Sequence, residues 1–241
     1  MAEKGAAAKR EYQTLDEAAI IEMIDRLKAR VSERFPTRGL AQTAGFLADL
    51  ARKTSQESAR LRHPNWLVRL LAIAAIAAAA YGFYSVHGFV HLLTNPISFP
   101  EFAQGLDATF NLLILCGLTV AFLFGIDSRL KRRKALDGLY RLRAIAHVID
   151  MHQLTKDPAS VLGLERTAAS PTRDLTHDQL LRYLDYCAEM LSMIGKLAAL
   201  YAQHFPDLVV ISAVNDVEAL TTNLSRKIWQ KIVIVQGEPR D

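Results

Sequence analysis

The chain has 241 residues, 51% of them hydrophobic, and its 29 Lys and Arg against 25 Asp and Glu give a formal net charge of only +4. So small an excess argues against the concentrated basic face of a nucleic-acid binder. Two cysteines, Cys116 and Cys187, without CxxC spacing, argue against a zinc site or a disulfide framework, and read as reduced packing residues.

Residues 1–13 are polar and charged and read as disordered, with no cleaved signal peptide. "TLDE", Thr14–Glu17, is read as a capping box, with the Thr hydroxyl on the Glu17 N–H and the Glu side chain reaching back. Ile20, Ile21, Ile24, Leu27 and Val31 follow at helical spacing, and Pro36 predicts a stop near Phe35. A second helix, about Gly39 to Arg62, carries Leu40, Phe46, Leu47 and Leu50. Its polar face, like that of the first helix, mixes acids and bases, so the pair is expected to pack on the C-terminal part rather than lie on a bilayer.

From Leu70 to Ser128 there is no Lys or Arg. Two apolar runs occupy that window, Leu70 to Leu93 and Ala108 to Ile126, each near the length of about 20 residues that crosses a bilayer core. Arg52, Lys53, Arg60, Arg62 and Arg69 precede the first run; Arg129, Lys131, Arg132, Arg133 and Lys134 follow the second. The connection, about Thr94 to Asp107, carries only Glu101 and Asp107. Basic flanks stay cytoplasmic, which predicts both termini inside and a short periplasmic loop. The cluster at 129–134 then reads as a topogenic stop held near anionic headgroups, not as a nucleic-acid patch. Trp66 falls where an interfacial aromatic belongs, and Tyr81 and Tyr84 lie in the first run. Ala74, Ala78 and Gly82 recur every four residues, as do Ala75 and Ala79; small residues at that spacing allow close helix packing in lipid, within the chain or between subunits.

Helix is expected to continue past the basic cluster to about Gln153, with Leu136, Leu139, Leu142, Ile145, Ala146 and Ile149 as its apolar stripe. Asp157, Pro158 and Gly163 read as the cap, first turn and stop of a short helix, and Leu164 to Leu175 as a loop. "THDQ", Thr176–Gln179, is a second capping box. Leu180, Leu184, Cys187, Leu191, Ile194, Ala198 and Tyr201 then alternate four and three apart, a coiled-coil-like seam. Pro206 breaks it, and a return helix carries Val210, Val214, Val217, Thr221, Leu224 and Ile228, closing an antiparallel hairpin. The tail QGEPRD is expected to fray.

His147, Asp150 and His152 lie close in sequence, but on a helix the two His point about 140° apart, too far for one ion. His177 and Asp178 belong to the capping turn, where acidic charge suits the helix dipole. No phosphate-binding or hydrolase motif is present. No cofactor or metal is implied, and a membrane-anchored metal-dependent hydrolase is the weakest reading. His87 and His91 read as interfacial residues near the outer end of the first span.

The sum is an all-α membrane protein: two transmembrane helices plus a cytoplasmic helical bundle with a long antiparallel hairpin. The expected domains are 1–63, cytoplasmic amphipathic helices; 64–128, a two-helix transmembrane hairpin; and 129–241, a cytoplasmic helical bundle. With segments such as "VIDMHQLTKDP" and "NLSRKIWQKI", this layout resembles the two-span bacterial inner-membrane proteins. In architecture it is also similar to SLATT domains, two-span modules proposed as membrane effectors in bacterial nucleotide-signalling defence, a resemblance that implies pore formation. The expected function is a non-enzymatic, self-associating inner-membrane protein. Its partners are membrane lipids, copies of itself and a cytoplasmic protein, with no nucleic acid, and its cytoplasmic part binds a partner or senses a signal. The alternative is an oligomeric channel or membrane-permeabilising effector, for which Asn111, Cys116 and Thr119 supply few polar groups.

Overall fold

The computed structural model describes residues 14–63, 65–92, 99–154, 156 and 175–237, with side chains throughout except at 85–92 and 101–102. Six helices account for nearly all of these residues, and there is no strand among them. They are α1 (Glu17–Arg34), α2 (Gly39–Arg62), α3 (Trp66–Leu92), α4 (Phe99–Leu154), α5 (His177–His204) and α6 (Leu208–Gln236). The chain divides into two compact units: residues 63–131, and residues 1–62 together with 132–241.

In the larger unit, α1 begins one way the sequence did not suggest. Asp16, not Thr14, is the N-cap; its carboxylate accepts from Ala18 N at 2.8 Å and Ala19 N at 3.3 Å. The TLDE capping box is therefore corrected. The aspartate sits one residue before the first turn and satisfies two of its free N–H groups. Glu17 is thereby released to make contacts elsewhere. The helix ends at Arg34 with Phe35 as its C-cap, as Pro36 requires. Ile20, Ile24, Leu27 and Val31 are buried.

Helix α2 has the bounds expected of it, and it packs on α1 and α5 rather than standing apart. Its buried face is rich in small residues: Thr43, Ala44, Ala48, Ala51, Thr54 and Ser58 accompany Leu40, Leu47 and Leu61. Phe46 departs from the expected stripe and is 68% exposed. Gly39 marks a close approach at the start of α2: a Cβ there would lie 2.6 Å from His152 Cε1 on α4.

Helix α5 is the hub. Its N-cap Thr176 and Gln179 form the expected capping box, Gln179 N donating to Thr176 Oγ1 at 3.3 Å and Thr176 N to Gln179 Oε1 at 3.0 Å. It packs against α1, α2 and α6. All seven heptad positions from Leu180 to Tyr201 are buried, and so are Val210, Val214, Val217, Thr221, Leu224 and Ile228 on α6. The connection Phe205-Pro206-Asp207 is short, so α6 runs back along α5. Asp207 N-caps α6 through Val209 N at 3.0 Å. The C-terminal part of α4 adds Ala135, Leu139, Leu142, Ile145, Ala146 and Ile149 to the same core, and Leu175 joins it from just before α5.

The connection before the second apolar run is shorter than expected, because α4 already starts at Phe99. Pro100 does not prevent this: in a first turn its missing N–H has no intrahelical partner to lose. Several readings lie outside the described residues: those for 1–13, for Asp157, Pro158 and Gly163, for 164–174, for 94–98 and for 238–241. So do the side chains of His87, His91 and Glu101.

Candidate functional site

In the smaller unit, α3 and the first part of α4 are long and apolar enough to cross a membrane. Positions at least partly covered on α3 are Val68, Ala72, Ala75, Ala79 and Gly82; on α4, as far as Asp127, they are Thr109, Leu112, Cys116, Val120, Leu123, Ile126 and Asp127. Both sets recur mostly at alternating threes and fours, the pattern of two helices meeting along one seam. Almost every other described residue on these segments is exposed. Of the most apolar window of α3, 6% is buried, and of that of α4, 0%. Ile73, Phe83, Phe110, Leu113, Leu118 and Phe122 are each at least half exposed.

At one end of the seam stands a buried carboxylate. Asp127 accepts from Asn65 Nδ2, and Lys131 Nζ lies 3.1 Å from its other oxygen. Both Lys131 and Asp127 side chains are nearly covered, at 14% and 13% exposure. Three polar side chains further along α4 are closed on the helix itself. Thr109 Oγ1 donates to Gly105 O at 2.9 Å, Thr119 Oγ1 to Leu115 O at 2.8 Å, and Asn111 Nδ2 to Asp107 Oδ2 at 3.3 Å.

The expected packing residues separate. Ala74 and Ala78 are exposed, whereas Gly82 is half-buried on the covered face, with nothing within 4 Å of a Cβ built there. The expected basic cluster separates too. Lys131 is held by Asp127. Arg132 forms a fork with Asp207, its Nε 3.0 Å from Oδ1 and its Nη2 2.7 Å from Oδ2. That fork, together with the N–H groups of Val209 and Val210, holds the Asp207 carboxyl below the usual carboxylate range against a partial opposing effect of burial. Arg129, Arg133 and Lys134 are exposed and make no ion pair among the described residues. Trp66, Tyr81 and Tyr84 are exposed as well.

In the larger unit, one polar network was not foreseen. Tyr201, fully buried, donates its hydroxyl to Glu57 Oε2 at 3.2 Å, and Arg141 Nη2 donates to the same oxygen. Burial, with the Glu57 charge beside it, pushes the Tyr201 phenol up to about 12. The phenol fits only because residue 138 is glycine: a Cβ there would lie well inside contact distance of Tyr201 Oη and Cζ, and 3.1 Å from Cε1. A second network ties Glu17 of α1 to Ser55 of α2 and to His204 of α5, whose Nε2 is 3.3 Å away. Neither pattern is periodic in sequence; only the i,i+4 spacing of Asp127 and Lys131 offered a sequence signal.

The histidine motifs do not gather a metal site. His147 is exposed, Asp150 accepts from Gln153 Nε2 at 2.6 Å, and the His152 ring lies against Gly39. No group of three or more potential metal ligands exists among the described residues. Comparison of the chain with family models, with curated proteins and with solved structures gives no match.

Proposed function

We propose that this chain is a non-enzymatic, self-associating protein of a bacterial inner membrane, crossing it twice, with the larger helical unit and both termini in the cytoplasm. One observation carries the reading: the bare apolar surface of α3 and of α4 up to the basic cluster. Soluble monomers rarely expose contiguous apolar patches beyond a few hundred Å², whereas lipid is the solvent such a surface needs. A buried core helix would pass the same test of length and composition, but these windows are 6% and 0% buried. Lys and Arg on both flanks and none between Leu70 and Ser128 support the orientation.

Self-association is assigned to α3. The heptad faces of α5 and α6 are already covered within the chain, which leaves them nothing to offer a second copy. Ala74 and Ala78 remain exposed on the α3 face turned away from the seam. Small residues there permit the close backbone approach that drives helix association in lipid. The larger unit is the part that binds a cytoplasmic partner or senses a signal. A channel, the alternative expectation, would want unpaired polar groups along a span, and Thr109, Asn111 and Thr119 are all bonded within their own helix.

Reporter fusions at Phe102 and after the C-terminus test the topology. The expected result is a periplasmic reporter at the first site and a cytoplasmic one at the second; a periplasmic C-terminus would end the two-span reading. The mass of the detergent-solubilised protein tests association: Ala78→Leu should lower it while membrane insertion is unchanged.

A further inference from the structure

The two-span reading treats the five basic residues after the second span as one cluster, but their surroundings differ. Lys131 and Arg132 are already neutralised by Asp127 and Asp207. Charge left for an outside partner resides on Arg129, Arg133 and Lys134. Of these, Arg129 and Arg133 are one turn apart on α4, about 6 Å along the axis, and Lys134 is turned about 100° away from Arg133. Arg129 and Arg133 also continue an apolar line. Phe122, Ile126, Arg129 and Arg133 follow one another at steps of four, three and four residues, within a sector of about 60°. Phe122 is 66% exposed, Ile126 half-buried, and both arginines exposed. Asp137, one turn beyond Arg133, makes no ion pair with it among the described residues.

We propose that this stripe of α4 is a binding site for a single anionic phospholipid, its acyl chain along Phe122 and Ile126 and its phosphodiester between the guanidiniums of Arg129 and Arg133. The proposal rests on the two-span reading and adds to it which residues choose the lipid. A guanidinium presents a planar fork of donors that matches phosphate oxygens, and two of them on one face grip a phosphodiester from both sides. A zwitterionic headgroup carries its own cation and offsets the attraction. A headgroup of net negative charge, such as phosphatidylglycerol, does not. Free phosphate would lack the apolar half of the contact.

The test uses the full chain in neutral detergent, with retained lipid counted by native mass spectrometry after addition of phosphatidylglycerol or phosphatidylcholine. Each cation near an anionic surface contributes about five-fold, so R129Q/R133Q should weaken phosphatidylglycerol retention by about thirty-fold and leave phosphatidylcholine retention unchanged. K134Q should stay within about two-fold of wild type, since its side chain is off the stripe. Undiminished retention in R129Q/R133Q, or an equal loss in K134Q, would overturn the site in favour of diffuse charge. Displacement of phosphatidylglycerol by millimolar inorganic phosphate would overturn the lipid assignment. R129K/R133K keeps the charge but not the fork, and should lose about three-fold; an unchanged value there would also count against the proposal. Alkaline extraction of wild-type membranes separates the two failures. A chain that is stripped off defeats the two-span reading and this site with it, whereas a chain that stays but ignores the lipid variants defeats this site alone.

Discussion

Gly138→Ala sets two effects of opposite sign against each other. Gly138 is deep inside α4, where replacing glycine by alanine ordinarily stabilises a helix by about 1 kcal/mol. Here the new methyl would collide with the ring and hydroxyl of Tyr201, which is fully buried. Overpacking of a tight core costs about 1–3 kcal/mol. A displaced phenol also gives up its hydrogen bond to the Glu57 carboxylate, a further cost of about 1.5–3 kcal/mol for a bond to a charged group. The net expectation is destabilisation by about 1.5–5 kcal/mol after the helix gain is subtracted. Urea unfolding of the full chain in detergent, followed by its helical signal, measures it. Tyr201→Phe removes the hydroxyl but leaves Cζ too close, so G138A/Y201F should be less harmful than the sum of its single changes. A Gly138→Ala variant more stable than wild type by about 1 kcal/mol would show that propensity acts alone and that the phenol is not seated against residue 138.

Leu184→Ala and Leu191→Ala each empty a fully buried seam position and should cost about 2–5 kcal/mol in the same unfolding assay; unchanged curves would place the seam in solvent. The Asp207 carboxyl is depressed chiefly by Arg132, so its stabilising share is fully present above the ordinary carboxylate value of 3.8 and is lost as the pH falls through the lower folded value. Melting temperature followed from neutral to acid pH should therefore drop less steeply in Arg132→Gln than in wild type, and parallel curves would refute the pairing. Burial pushes the Cys187 thiol up to about 12, which leaves almost no thiolate at neutral pH. Iodoacetamide should leave Cys187 unmodified in the folded protein and alkylate it on unfolding, as read by peptide mass; rapid native labelling would contradict its burial.

What could be read from the sequence was what repeats or punctuates. The bounds of α2, expected at about Gly39 and Arg62, were legible, and the α5 and α6 faces followed from their spacing of threes and fours. The capping box at Thr176 was legible from Thr176 and Gln179 three residues apart, whereas at the first helix Thr14 and Asp16 competed within three residues and the carboxylate prevailed. Phe46 was misplaced because hydrophobicity alone does not say which side of α2 meets α5. The start of α4 at Phe99 was missed because the second span was read from its apolar run, which begins only at Ala108, and the turns before it carry no such signal. Contacts between distant positions left no trace. Arg132 meets a carboxylate 75 residues away, and Tyr201 meets Glu57 across 144; neither distance has a period that a reader of the chain can follow. On α3 and α4, exposure divided sets that composition had treated as uniform.

The larger unit is assembled from two separate stretches, 1–62 and 132–241, with the apolar hairpin inserted between them. On the membrane reading this has a consequence for biogenesis. The apolar faces of α1 and α2 are made first, but α5, the helix they pack against, leaves the ribosome only after both spans have been synthesised. If only one span inserted, the two stretches would end on opposite sides of the bilayer and could never meet. On that reading, completing this core requires both spans to have crossed: a chain that has crossed an odd number of times leaves uncovered the parts of α1 and α2 that meet α5.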